Sequence, residues 1–118
     1  MFHVNVKHGV SLAGLSSEMW VALGIAKLVY KEHGDQDLVV TAGTETPEVH
    51  KAKNTRHAYG DAADTRTRDF TKSVATVVAG AIRNLLAVLS SNYDVVLEGN
   101  HIHIEWDPNK KRSEEASA

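Results

Sequence analysis

Two short stretches of the chain carry side chains whose types and spacing suit metal chemistry. Residues 101–106 read HIHIEW. Alternation along a strand puts His101 and His103 on one face, with Glu105 in the same row. Glu98 lies just upstream, separated from His101 by Gly99-Asn100. A two-residue hairpin turn at that pair sets Glu98 opposite His101, with both side chains on one face. Residues 57–64 read HAYGDAAD. His57 and Asp64 are too far apart in sequence to share a helical turn. They converge if Gly60 bends the chain and residues 62–64 enter a strand, and the small residues at 60, 62 and 63 permit close backbone approach. His57, Asp64 and either His101 or His103 would then supply three nitrogen and oxygen donors. That leaves a fourth position for water, the arrangement of a catalytic zinc ion. Taken singly, each stretch also fits a plainer role, as a solvated sheet face or a polar loop with a His–Asp pair.

Composition narrows the alternatives. With 118 residues, 42% of them apolar and 24% charged, the chain suits one folded domain rather than a disordered segment. Its formal charge of -2 does not favour a general nucleic-acid surface. The absence of cysteine excludes thiol catalysis, disulfides and cysteine-ligated metals. The longest apolar stretch, residues 74–89, is interrupted by Gly80, Arg83 and Asn84, which argues against membrane insertion. No Gly-x-Ser-x-Gly elbow supports a serine hydrolase.

The elements that must position these side chains follow from periodicity. Residues 2–7 alternate as a short edge strand. Ser16 or Ser17 caps a helix that runs to about Glu32, and Gly34 is expected to take the left-handed position that ends it. Residues 38–42 (LVVTA) read as a buried strand. A polar stretch over 43–61 reads as a long functional loop, followed by a strand over 62–67. Asp69 or Thr71 opens a second helix, whose expected apolar stripe is Val74, Val77/Val78, Ala81/Ile82, Leu85/Leu86 and Leu89. The hairpin over 93–106 completes a single domain, residues 1–108, with a polar tail over 109–118. The expected class is α+β: a small antiparallel sheet with two helices packed on one face.

The two stretches together carry a resemblance. Residues 57–64 match the His-x-x-Gly-x-Ala-x-Asp motif of zinc D-Ala-D-Ala carboxypeptidases and L-alanyl-D-glutamate endopeptidases of the M15 type, phage endolysins among them. His101-x-His103 resembles the second motif of the wider lysostaphin/D-Ala-D-Ala peptidase/Hedgehog superfamily. The likeness extends over about residues 38–108. It implies a D-Ala-D-Ala peptidase-like fold and one Zn2+ ion held by His57, Asp64 and His103. It also implies Glu98 as general base and His101 as a group that orients or stabilises the transition state. Family members often carry an arginine just after the glycine of the turn before the first motif, where it holds the substrate carboxylate. Here Gly43 is followed by Thr44, Glu45 and Thr46, which leaves Arg56 or Arg66 to replace it. His50 resembles an upstream histidine of Hedgehog-like members, and Tyr59 is a further possible substrate contact.

The expectation is thus a monomeric zinc metallopeptidase that hydrolyses an amide in peptidoglycan peptides, with a cell-wall peptide as partner and neither nucleic acid nor membrane. Without an evident signal segment, the chain is expected to be made in the cytoplasm. It would reach the bacterial wall after pore-mediated release or as part of a phage particle. The alternative is a non-catalytic zinc-binding assembly or binding module, such as a virion-associated one, which would have no need of a carboxylate at Glu98.

Overall fold

The computed structural model describes residues 3–45 and 60–109. Five strands are present among them: β1 (Asn5–Val6), β2 (Val39–Ala42), β3 (Ala62–Arg66), β4 (Tyr93–Leu97) and β5 (His101–Trp106). They form one sheet in the order β1-β2-β3-β5-β4. Two 18-residue helices, α1 (Ser17–Gly34) and α2 (Lys72–Leu89), complete the described fold. The class is α+β, as expected, but the sheet is mixed. β1 runs parallel to β2, whereas the other three pairings are antiparallel. The cause is the connection: α1 stands between β1 and β2, and a helical crossover returns the chain in the direction it left.

Strand parity sorts the residues by face. Val40, Ala63, Thr65, Val95, Ile102 and Ile104 are all buried. The apolar ones join Met19, Leu23, Ala26 and Tyr30 of α1 and Val78, Ile82 and Leu86 of α2 in one core. Both helices therefore cover the same face of the sheet. Ser16 caps α1 by accepting from the Met19 amide at 3.2 Å, and Thr71 caps α2 by accepting from Val74 at 3.2 Å.

Two details of the helices differ from expectation. The left-handed residue after α1 is Asp35 (φ 50°, ψ 40°), and Gly34 is still helical. Gly34 is instead required by packing, since a Cβ there would lie 2.3 Å from the Phe70 ring. The buried stripe of α2 is Ala75, Val78, Ala79, Ile82 and Leu86. Val77, Leu85 and Leu89 of the expected stripe are exposed, because the face of α2 turned toward α1 and β4 is the one carrying Val78, Ile82 and Leu86. By length and composition α2 is apolar enough to cross a bilayer; in the fold its buried stripe lies in the core.

Tyr30 ties α1 to the strand that carries Asp64. Its buried hydroxyl donates to the Arg66 carbonyl at 2.7 Å and lies 2.8 Å from Thr65 Oγ1. Burial pushes the phenol up to about 12, so it stays a neutral donor. Replacing Tyr30 with Phe takes away the partner of the Arg66 carbonyl and of the Thr65 hydroxyl. It is expected to lower stability by about 1–3 kcal/mol in denaturant unfolding, with a native-like circular dichroism spectrum.

Candidate metal and catalytic site

The hairpin turn has the expected length. Leu97 pairs with Ile102, and the Glu98 amide donates to the His101 carbonyl at 2.8 Å across Gly99-Asn100. Burying Ile102 and Ile104 in the core sends His101, His103 and Glu105 to the opposite face of β5. β3 pairs with β5 so that Asp64 lies across from His103, Arg66 from His101 and Ala62 from Glu105. Residues far apart in sequence are thereby set side by side.

The contacts on this face form a chain of alternating charge. Asp64 Oδ1 accepts from His103 Nδ1 at 2.8 Å, and Glu105 Oε1 accepts from His103 Nε2 at 3.1 Å. The hydrogen bond to Asp64 is the main cause that raises His103 to about 9; burial opposes it, and Glu105 adds to it. His103 is therefore an imidazolium at neutral pH, donating from both nitrogens. His101 donates from Nδ1 to Asn100 Oδ1 at 2.6 Å. Its Nε2 stands between two carboxylates, 3.8 Å from Asp64 Oδ2 and 3.9 Å from Glu98 Oε2. Asp64, His101 and His103 are partly buried, and the Glu98 side chain is 49% exposed.

The described residues that flank the 46–59 stretch are held close to one another. Residues 11–16 hold both ends of the 46–59 stretch. On one side, Thr44 donates from its amide to the Ser11 carbonyl at 2.7 Å, and the Glu45 carboxylate accepts from the Ser11 and Gly43 amides. On the other side, the Ser16 amide donates to the Gly60 carbonyl at 2.9 Å. Gly60 makes the expected bend at φ 79°, and a Cβ there would meet the Gly14 carbonyl oxygen at 2.2 Å. Thr44, where the resembled family often has arginine, is instead held by its hydroxyl to the Ala13 carbonyl at 2.6 Å. His50, Arg56, His57 and Tyr59 lie outside the described residues.

The structure thus brings Asp64, His103, His101, Glu98 and Arg66 to one face. Among the described residues, no three His, Asp or Glu side chains stand so that they could hold a metal ion. Asp64 and His103 are adjacent and of the donor types zinc takes, and completing a site on them requires a donor such as His57. Glu105, given no role in the sequence reading, holds the second nitrogen of His103; its place two residues along the same strand was the available signal. Lys7 and Arg68 were also missed. They line a cleft of about 420 Å³ with Asp64, Arg66 and His101. No match was found to a known protein family, to a curated protein or to a solved structure.

The raised pKa of His103 has a sign for stability. In the zinc-free protein its charged contacts are fully present below about pH 6.5, the unfolded value, and are lost as pH rises through about 9. Unfolding free energy is expected to fall by roughly 1–3 kcal/mol across that window. A His103→Gln variant, followed by denaturant unfolding at each pH, is expected to lack this component. Gly60→Ala forces a strained backbone into a filled space, and is expected to lower the melting midpoint by several degrees.

Proposed function

We propose that the chain is a zinc-dependent peptidase acting on an amide bond in peptidoglycan peptides. The observation that carries this reading is the β3–β5 register. It sets Asp64 against His103 at 2.8 Å, with His101 and Glu98 on the same face. The likeness of residues 57–64 and 101–103 to the M15-type motifs supplies the reaction class, and with it a Hedgehog/D-Ala-D-Ala peptidase-like version of the fold.

In this reading His57, Asp64 and His103 hold the ion. Bound there, Zn2+ supplies Lewis acidity and acidifies water toward neutral pH. Glu98 acts as general base, taking a proton from the attacking water and delivering it to the leaving amine nitrogen. Its side chain is exposed enough to meet solvent and close enough to His101 to share the site. His101 is held by Asn100 through Nδ1, which leaves Nε2 between the two carboxylates, placed to stabilise the developing oxyanion. Glu105 orients His103 through the nitrogen not facing Asp64, the role a second carboxylate plays beside a ligand imidazole.

Purified protein is expected to bind one equivalent of zinc and to release new amino termini, or free D-alanine, from purified peptidoglycan. Glu98→Gln is expected to keep the zinc and lose about 10²–10⁴-fold in turnover, the usual contribution of a general base. His57→Ala and Asp64→Ala are expected to lose both metal and turnover. Metal content by mass spectrometry and hydrolysis, measured on the same preparations, check each outcome. Zinc binding with no hydrolysis in the parent chain would instead favour the assembly module.

A further inference from the structure

The helical layer, on the side of the sheet away from Asp64 and His103, is apolar on its outer surface as well as toward the core. Met19, Leu23, Ala26 and Tyr30 of α1 are buried against the sheet. On the opposite side of the same helix, Trp20, Val21, Gly24, Ile25 and Leu28 line an open groove of about 650 Å³, bordered by Lys27. α2 has two charged residues in eighteen, Lys72 and Arg83. Its Val77, Leu85, Val88 and Leu89 are exposed, and with Ala81 they recur every three or four residues as a ridge. Leu28 of the groove, 71% exposed, and Val88 of the ridge, 82% exposed, are the most exposed large apolar side chains among the described residues. Contacts on the outer flanks set groove and ridge next to one another. Lys27 donates to the His3 carbonyl, which turns that flank of α1 toward the N-terminal strand and leaves Ile25 on the other flank. Arg83 donates to the Val95 carbonyl at 3.0 and 3.1 Å, which turns that flank of α2 toward β4 and leaves Ala81 and Leu85 on the other flank. The remaining flanks meet where the helices pack on each other.

We propose that this surface joins two copies of the chain in a symmetric dimer, with the α2 ridge of each copy lying in the α1 groove of the other. A helix that is apolar on both sides is normally covered on both sides. Groove and ridge lie side by side on one face, so a single two-fold axis satisfies both contacts at once. The size fits. Two 18-residue helices side by side present a face about 27 Å long and about 20 Å wide. That plan area of roughly 540 Å², increased by corrugation, reaches the about 600 Å² per partner at the lower end of stable interfaces. The chain's own remaining segments do not suit this surface: residues 46–59 hold one large aliphatic side chain, Val49, and residues 110–118 hold none. Met1 and Phe2 span about 7 Å at full extension, far less than the face. Pairing through the β4 edge is opposed by Arg83, which occupies the Val95 carbonyl. A helix that lies on a membrane carries a basic polar face beside its apolar one; α2 has two basic residues, and its other side is the core. In the dimer the two sheets face outward on opposite sides, so both Asp64–His103 faces stay accessible. The inference is independent of the peptidase reading.

Sedimentation equilibrium of the full chain over a range of concentrations tests this. The mass is expected to rise to a plateau at twice the 12.9 kDa chain. Leu28→Lys in the groove and Val88→Glu on the ridge are each expected to weaken association at least about tenfold, the loss of one interface anchor. Both side chains are exposed within one copy, so each variant is expected to keep the parent's circular dichroism spectrum. An equimolar mixture of the two variants is the sharper measurement. Each mixed pair retains one unaltered groove and one unaltered ridge that meet, and sets the new lysine opposite the new glutamate. The mixture is therefore expected to associate more tightly than either variant alone. A parent chain that stays at 12.9 kDa, or whose mass climbs without a plateau, would overturn the proposal. So would folded variants that dimerise like the parent, or a mixture no tighter than its components. A monomer that sediments with phosphatidylcholine vesicles, and ceases to do so in Val88→Glu, would assign the face to a lipid surface instead.

Discussion

The site rests on the pairing of β3 with β5. In an antiparallel pair a slip of one residue turns every side chain to the other face. Here the register is held from the core side. Ala63 and Ile104, and Thr65 and Ile102, pair on the buried face, and Tyr30 anchors Thr65 and the Arg66 carbonyl to α1. Shifting the register would place Asp64 or His103 under the helices and the isoleucines outside, at a cost that apolar burial and two lost hydrogen bonds make prohibitive. The Asp64–His103 contact is thus a consequence of how the opposite face packs.

Electrostatics on the site face follow from the same geometry. Crowding His103 between Asp64 and Glu105 keeps it charged well above its usual range. The zinc reading asks this group to give up that proton to become a ligand, so metal and proton compete for the same pair. His101 is arranged differently. Asn100 takes one nitrogen, and the other stands nearly equidistant from Asp64 and Glu98 without a close contact to either. One imidazole is held tightly and its neighbour loosely.

Glycine supplies the remaining constraint. Gly43 and Gly60 press against the loop over residues 11–14 so closely that a Cβ on either would meet a backbone oxygen at 2.2 Å. The two ends of the 46–59 stretch are thereby held to one small loop between β1 and α1. The positions of Gly43 and Gly60 are set by these backbone contacts, while the face that carries Asp64 and His103 is set by strand parity.

Local patterns in the sequence determined a good deal. Alternation in HIHIEW placed both histidines on one face, the Gly99-Asn100 pair set a two-residue turn, and each helix cap was narrowed to one of two residues, Ser16 or Ser17 and Asp69 or Thr71, because each chemistry acts within a few residues. The Gly60 bend was legible for the same reason. Tertiary structure decided what depends on distant partners. It made β1 parallel to β2, gave Gly34 to the Phe70 ring rather than to a left-handed turn, and rotated the buried stripe of α2 away from Val77, Leu85 and Leu89. It also brought Lys7 and Arg68 to the cleft beside Asp64. Periodicity records which side of an element is apolar, but which neighbour that side meets, and which charges meet across the sheet, is settled only when residues far apart in the chain compete for the same space.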